Sequence, residues 1–179
     1  TVNTNSGCTA TGVGLGSPST ADNCGVASVV NNAPSSFPLG NTTVVWTVTD
    51  NSGRTATCSQ TVTVNDNQNP TIACPGNVTV NATNGQCSAS SVSIGTPSTS
   101  DNCSVASTTS NAPVTYPVGT TTVTWTVTDG SGNTATCSQT VTVVDNQNPS
   151  INCPANISVN ADAGQCGAVV TFAEPTASD

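Results

Sequence analysis

The sequence predicts an all-β chain built from tandem β-sandwich repeats, and three observations carry that prediction. The first is self-similarity. Cys8, Cys87 and Cys166 recur 79 residues apart, and the same shift superposes Cys24 on Cys103, Cys58 on Cys137, Cys74 on Cys153, Trp46 on Trp125 and Asp50 on Asp129. A fixed period of that length marks a repeat architecture. The second is strict alternation over Thr121–Thr128, where Val123, Trp125 and Val127 face one way and the threonines the other. Alternation with period two is the pattern of a strand with one buried face. The third is that no segment has the 3.6-residue periodicity of a helix.

The elements of one unit follow in order. Asn77–Ala82 and Ser88–Ile94 read as short strands around the turn Thr83-Asn84-Gly85, and Thr96–Asn102 reads as loop chemistry. Val105–Ser110 and Val114–Tyr116 are the next strands. Thr121–Thr128 then meets Thr134–Val143 across the turn Asp129–Asn133, a hairpin in which Ala135, Cys137, Val141 and Val143 share a face. About seven short strands in so few residues indicate a sandwich of immunoglobulin type. Thr1 aligns with Val80 and Asp179 with Asp101, the third copy being one residue shorter before Pro175. The expected division is therefore a partial repeat at 1–65, a complete one at 66–145 and a partial one at 146–179, a window on a longer array.

Composition narrows the function. One basic residue, Arg54, stands against nine acidic ones, with no His, Lys or Met and a net charge of -8. That excludes a basic nucleic-acid footprint, Schiff-base chemistry and the commonest general base. No stretch is apolar enough to span a membrane. Nine cysteines, none spaced for a metal site and with no His to complete one, imply disulfides in an oxidising, extracellular setting. A core built on one Trp, one Tyr and a row of valines is thin, and two disulfides per unit, at roughly 2–4 kcal/mol each, make up the deficit. A carboxylate-pair glycosidase is disfavoured because the acids sit in repeated loops without a sugar platform. The chain reads as no enzyme.

Asp66–Pro70, Ile72–Pro75, Pro97–Asn102, Tyr116–Val123 and Thr128–Cys137 occur in the order and form of the hyalin-repeat (HYR) pattern, and the whole chain resembles that family. The further motifs Gly85–Cys87 and Asp101–Cys103 resemble the version in long surface proteins of gliding Bacteroidota. The resemblance implies an immunoglobulin-like module used in tandem in extracellular adhesion proteins, and in those bacteria export by the type IX system. It also implies the disulfide Cys74–Cys137, the pair kept by family members with two cysteines, and leaves Cys87–Cys103 and Cys8–Cys24 for the remainder. Geometry pulls against Cys87–Cys103: along a straight strand at ~3.3 Å per residue the two would stand ~20 Å apart, out of disulfide reach. The loop from Gly95 to Cys103 has to fold back.

At one pole of such a sandwich the linker meets two loops, bringing together Asp66, Asn69, Asp101, Asn102 and Asp129. Carboxylate and amide oxygens of this kind suit Ca²⁺ at each repeat junction. The competing reading is that these residues form Asx-turns and cap loop backbone. Trp46 and Trp125 lie on the inward strand face and read as core.

The function expected is a structural segment of an extracellular filament or adhesin stalk. Its partners are neighbouring repeats or identical chains, with no nucleic acid and no membrane span. Two alternatives stand beside it: an adhesive module gripping surface glycans or proteins, and a filament subunit that exchanges strands with identical chains.

Overall fold

The computed structural model describes all residues, 1–179, and every regular element is a strand. The first repeat carries β1 (Val2–Asn3), β2 (Thr9–Thr11), β3 (Val26–Asn31), β4 (Ser36–Pro38), β5 (Gly40–Asp50) and β6 (Thr55–Asn65). The second carries β7 (Thr71–Ala73), β8 (Val78–Asn81), β9 (Ser88–Ser90), β10 (Ser98–Ser100), β11 (Val105–Ser110), β12 (Thr115–Pro117), β13 (Gly119–Asp129) and β14 (Thr134–Val144). In the third are β15 (Ser150–Asn152) and β16 (Thr176–Ser178).

Each of the first two repeats has a four-stranded sheet of the same order, β1-β6-β5-β3 and β8-β14-β13-β11. The long hairpin supplies the middle pair. On one side β11 pairs antiparallel with β13, Val105–Ser110 against Trp125–Asp129, and on the other side β8 runs parallel to β14 from Val78↔Val141 to Asn81↔Val144. A two-stranded sheet, β2-β4 or β9-β12, carries the second layer. β8 and β9, adjacent in sequence, thus belong to different sheets.

Alternation sets the burial. Along β13, Val123, Trp125, Val127 and Asp129 are buried, and along β14 so are Gln139, Val141 and Val143. In the first repeat Ala10, Phe37, Val44, Val62 and Val64 form one core cluster, with Val2, Val13, Leu15, Ala33 and Trp46 packed against it. Each Trp finds a polar side-chain partner: Trp46 Nε1 donates to the half-buried Gln60 Oε1 at 2.9 Å, and Trp125 Nε1 to the buried Gln139 Oε1 at 3.2 Å. The two glutamines pass the bond on, to the carbonyl of Leu15 and that of Gly76.

The structure departs from the sequence reading in two elements. The strand expected over Ser88–Ile94 stops at Ser90, where Ser91 turns the chain with a φ of 54°. The stretch expected to be loop, Thr96–Asn102, contains β10, which pairs antiparallel with β7 of the linker through Ser98↔Ala73, Thr99↔Ile72 and Ser100↔Thr71. The third repeat forms the same pair, Ser150–Asn152 with Thr176–Ser178.

By packing, the chain divides into two compact units: 1–76 with 95–112 and 123–139, and 77–94 with 113–122 and 140–179. The first unit holds the first repeat, the linker Asp66–Gly76 and one end of the second repeat. It therefore contains the first repeat junction entire.

Candidate functional site

The junction is assembled from three segments. The first is the turn Thr4–Cys8 of repeat one. Thr4 N–H donates to the Asn65 carbonyl at 2.9 Å, continuing the pairing of β1 with β6, and Asn5 side-chain bonds to Thr11 hold the turn open. The second is the linker, where Asp66 Oδ1 accepts the Gln68 N–H at 3.1 Å. Gln68 Nε2 reaches the Thr4 hydroxyl at 3.5 Å. The third is the loop after β10, an Asx-turn in which Asp101 Oδ2 accepts the N–H groups of Cys103 at 2.8 Å and Ser104 at 3.0 Å.

Asn102 joins all three. Its Nδ2 donates to the Gly7 carbonyl at 3.2 Å and to Asp66 Oδ1 at 3.3 Å. That contact brings Cys103 against the turn carrying Cys8, and the two form a disulfide with a Cα–Cα distance of 4.5 Å. Cys74 is bonded to Cys137, with Cα atoms 5.8 Å apart, within the second repeat.

The expected pairs Cys8–Cys24 and Cys87–Cys103 do not form. Cys24 is held in its own loop, its N–H on Asp22 Oδ1 at 2.7 Å and its carbonyl on Asn51 Nδ2 at 2.8 Å, and it is exposed. Cys87 also keeps a free, exposed thiol, with its carbonyl taken by the Val118 N–H. The strand after Cys87 ends at Ser90, so it is the Cys8–Cys103 bridge, and not a straight strand, that leaves Cys87 without Cys103. Because Cys8 and Cys87 are equivalent positions, Cys103 meets the Cys8-type residue of the preceding repeat in place of its own. The bridge crosses the junction.

The candidate ligands fall into two sets. A carboxylate oxygen of Asp66, one of Asp101 and the Cys103 sulfur lie within 4.8 Å of one another, and Asn102 is bonded to Asp66 beside them. Asp66 Oδ2, Asp101 Oδ1 and Asn102 Oδ1 are buried and accept no hydrogen bond. Asp129, by contrast, is spent on its own turn. It accepts Ser131 N–H at 2.9 Å and Asn133 N–H and Nδ2 at 2.7 Å each. Burial opposes its ionisation, but the bonds from Asn133, Ser131 and Gly132 outweigh that and hold its carboxyl below the usual value. Asn69 is exposed at the surface.

Sequence reasoning missed the turn Thr4–Cys8, Gln68 and Asn133, whose Nδ2 also reaches the Asp66 carbonyl at 3.2 Å. The recurrence of Gln68 as Gln147 was a legible signal: at the second junction Gln147 Oε1 accepts the Gly85 N–H and Nε2 donates to the Thr83 carbonyl.

The HYR domain family matches residues 2–64, 65–143 and 144–179. Hyalin of Strongylocentrotus purpuratus is 38% identical over 66 residues, 35% of this chain and 6% of hyalin. A structure of protocadherin gamma B7 extracellular cadherin domains 1–4 aligns with 74% of this chain and 45% of its own at 12% identity and TM-score 0.33. The protocadherin gammaB7 EC3-6 cis-dimer structure aligns with 75% and 43% at 16% identity and the same TM-score. The chain thus spans a small part of hyalin and under half of either solved chain. Tandem HYR segments suggest an adhesion-type extracellular repeat module, and the two disulfides fit an oxidising extracellular setting. Matched along almost its whole length in three successive segments, the chain belongs to the HYR-domain family.

Proposed function

We propose that this chain is a structural segment of an extracellular adhesin stalk or surface filament, with repeats at 1–65, 66–145 and 146–179 that act mechanically as an extended spacer. The observation that carries the reading is the Cys8–Cys103 disulfide, which ties one repeat to the next beside the main-chain linker. A stalk pulled at its ends then loads two covalent paths at the junction.

The two disulfides also supply rules that account for the five free cysteines. In an array that continues the period, each Cys8-type residue bonds the Cys103-type residue of the following repeat, giving Cys24, Cys87 and Cys166 partners in adjacent repeats. Each Cys74-type residue bonds the Cys137-type residue of the repeat it leads into, which provides for Cys58 and Cys153. Gly85–Cys87 and Asp101–Cys103 favour a surface protein of gliding Bacteroidota, exported by the type IX system. Non-reducing peptide mapping of the native polypeptide tests the rules. Cys24 linked to Cys8, or native protein with free thiols throughout, would contradict them.

One observation favours a second reading, strand exchange between identical chains. In repeat one a groove of about 230 Å³ opens beside Trp46, lined by Pro18, Val29, Val48 and Cys58 among others. In repeat two the equivalent flank carries β7, with Ile72 half-buried and Cys74 bonded to Cys137. The third repeat offers a matching strand, β15, whose Ile151 is 67% exposed and whose Cys153 is free. Intact mass of the native polypeptide separates the two: a chain near 17.6 kDa with a Cys58–Cys153 cross-link between copies supports exchange, and a far larger one supports a continuous array.

A further inference from the structure

We propose that Asp66, Asp101 and Asn102 hold a calcium ion at the junction between the first and second repeats. Asp66 is only 8% exposed although it carries a formal charge. The hydrogen bonds to each of the two carboxylates fall on one of its oxygens. Asp66 Oδ1 takes the Gln68 N–H, Asn102 Nδ2 and, at 3.4 Å, the Thr4 hydroxyl, and Asp101 Oδ2 takes the N–H groups of Cys103 and Ser104. The opposite oxygens, Asp66 Oδ2 and Asp101 Oδ1, are buried and bare. Asn102 repeats the arrangement: its Nδ2 is spent on Gly7 and Asp66, and its Oδ1 is buried without a donor.

Three acceptor oxygens stripped of water and of donors, two of them on carboxylates, are costly unless something positive meets them. The chain offers little that could. It has no Lys and no His, and its one Arg, Arg54, is exposed. The chemistry of the donor set selects the ion. Cys103 Sγ lies within the cluster but is committed to Cys8, so it offers no thiolate. What remains is oxygen only, the preference of hard cations. A flexible shell shared with main-chain carbonyls and water suits Ca²⁺ better than the octahedral demand of Mg²⁺.

The ligands come from the linker and from the loop that the disulfide clamps to repeat one. The ion therefore fixes the linker against that loop. With only two carboxylates the affinity falls in the range of extracellular modules, on the order of 10⁻⁴–10⁻³ M. Such a set of ligands comes together once in these 179 residues, at the first junction, so one site per chain is expected.

Calorimetric titration of CaCl₂ into the 179-residue chain with its disulfides intact tests the site. The expected result is one Ca²⁺ per chain, at least tenfold tighter than Mg²⁺, with a rise in melting temperature at millimolar Ca²⁺. Asp66→Asn and Asp101→Asn, each keeping the hydrogen-bonded oxygen, should each weaken binding at least tenfold, while Asp162→Asn, an exposed acid outside the cluster, should leave it unchanged. Tryptophan fluorescence of each variant without calcium verifies folding. Absence of both heat and thermal shift in the wild-type chain overturns the proposal, as does undiminished binding in folded Asp66→Asn and Asp101→Asn. These readouts are independent of whether the chain belongs to a stalk or to an exchanged filament.

Discussion

The first and second repeats share nearly the same hairpin, yet the second closes its core and the first does not. Trp125 is 8% exposed and Gln139 1%, whereas Trp46 and Gln60 are half-buried. Cys137 is bonded, and its counterpart Cys58 is an exposed free thiol. The strand TATCSQTVTV is identical in both and so does not cause the difference. Residues 66–76 complete the second repeat, giving it β7, Cys74 bonded to Cys137 and the Gly76 carbonyl that receives Gln139 Nε2, whereas in the first repeat Gln60 Nε2 donates to the Leu15 carbonyl.

Four perturbations can break or sharpen that comparison. The largest effect is expected from Trp125→Ala, a loss of about 3–5 kcal/mol from the closed core, with Trp46→Ala costing about half as much or less because its cavity already opens to solvent. Urea unfolding of each variant measures the difference, and equal losses would mean that the groove beside Trp46 is closed in solution. Next, Cys74→Ala with Cys137→Ala should cost roughly 2–4 kcal/mol and bring the Trp125 environment towards that of Trp46. Fluorescence emission reads this as a red shift.

A smaller effect tests packing at the loop pole. In repeat one Gly25, at φ +97°, leaves room for Asn51, whose Nδ2 would lie 2.8 Å from an added Cβ. In repeat two the sizes are exchanged: an added Cβ on Gly130 would lie 2.8 Å from Ser104 Oγ. Gly130→Asn should therefore destabilise repeat two by about 0.5 kcal/mol, because both residues are exposed and the Ser104 hydroxyl can rotate away. Adding Ser104→Gly should restore most of it, as a double-mutant cycle would register.

The smallest is electrostatic. The Asp129 carboxyl titrates below its usual 3.8 in the folded chain, so it binds fewer protons there than in the unfolded chain. Its contribution is complete above the ordinary carboxylate value and is lost as pH falls through the lowered folded one. Urea midpoints measured from pH 5 down to 2 should fall less steeply for Asp129→Asn than for wild type.

Much of the fold is legible along the chain because β13 and β14 are long enough for alternation to declare a buried face. β7 and β10 are not legible. β7 is only Thr71-Ile72-Ala73 and β10 only Ser98-Thr99-Ser100, too short to show alternation, and each is a strand only because the other satisfies its backbone groups. The site divides in the same way. That Asp66, Asp101 and Asn102 stand near a junction follows from loop positions, but Asp129 belongs with them on the same reasoning and is instead absorbed by Asn133. The chemistry of a carboxylate is set by how many donors reach it, and those donors come from distant segments.

By itself, then, the sequence determined the repeat, the faces of the long strands and the oxidising setting, because these are written in local period and residue type. Only the tertiary structure decided which cysteine of which copy meets Cys103. Repeats make Cys8 and Cys87 identical as text, and proximity alone, set by the bond from Asn102 to the Gly7 carbonyl, distinguishes them.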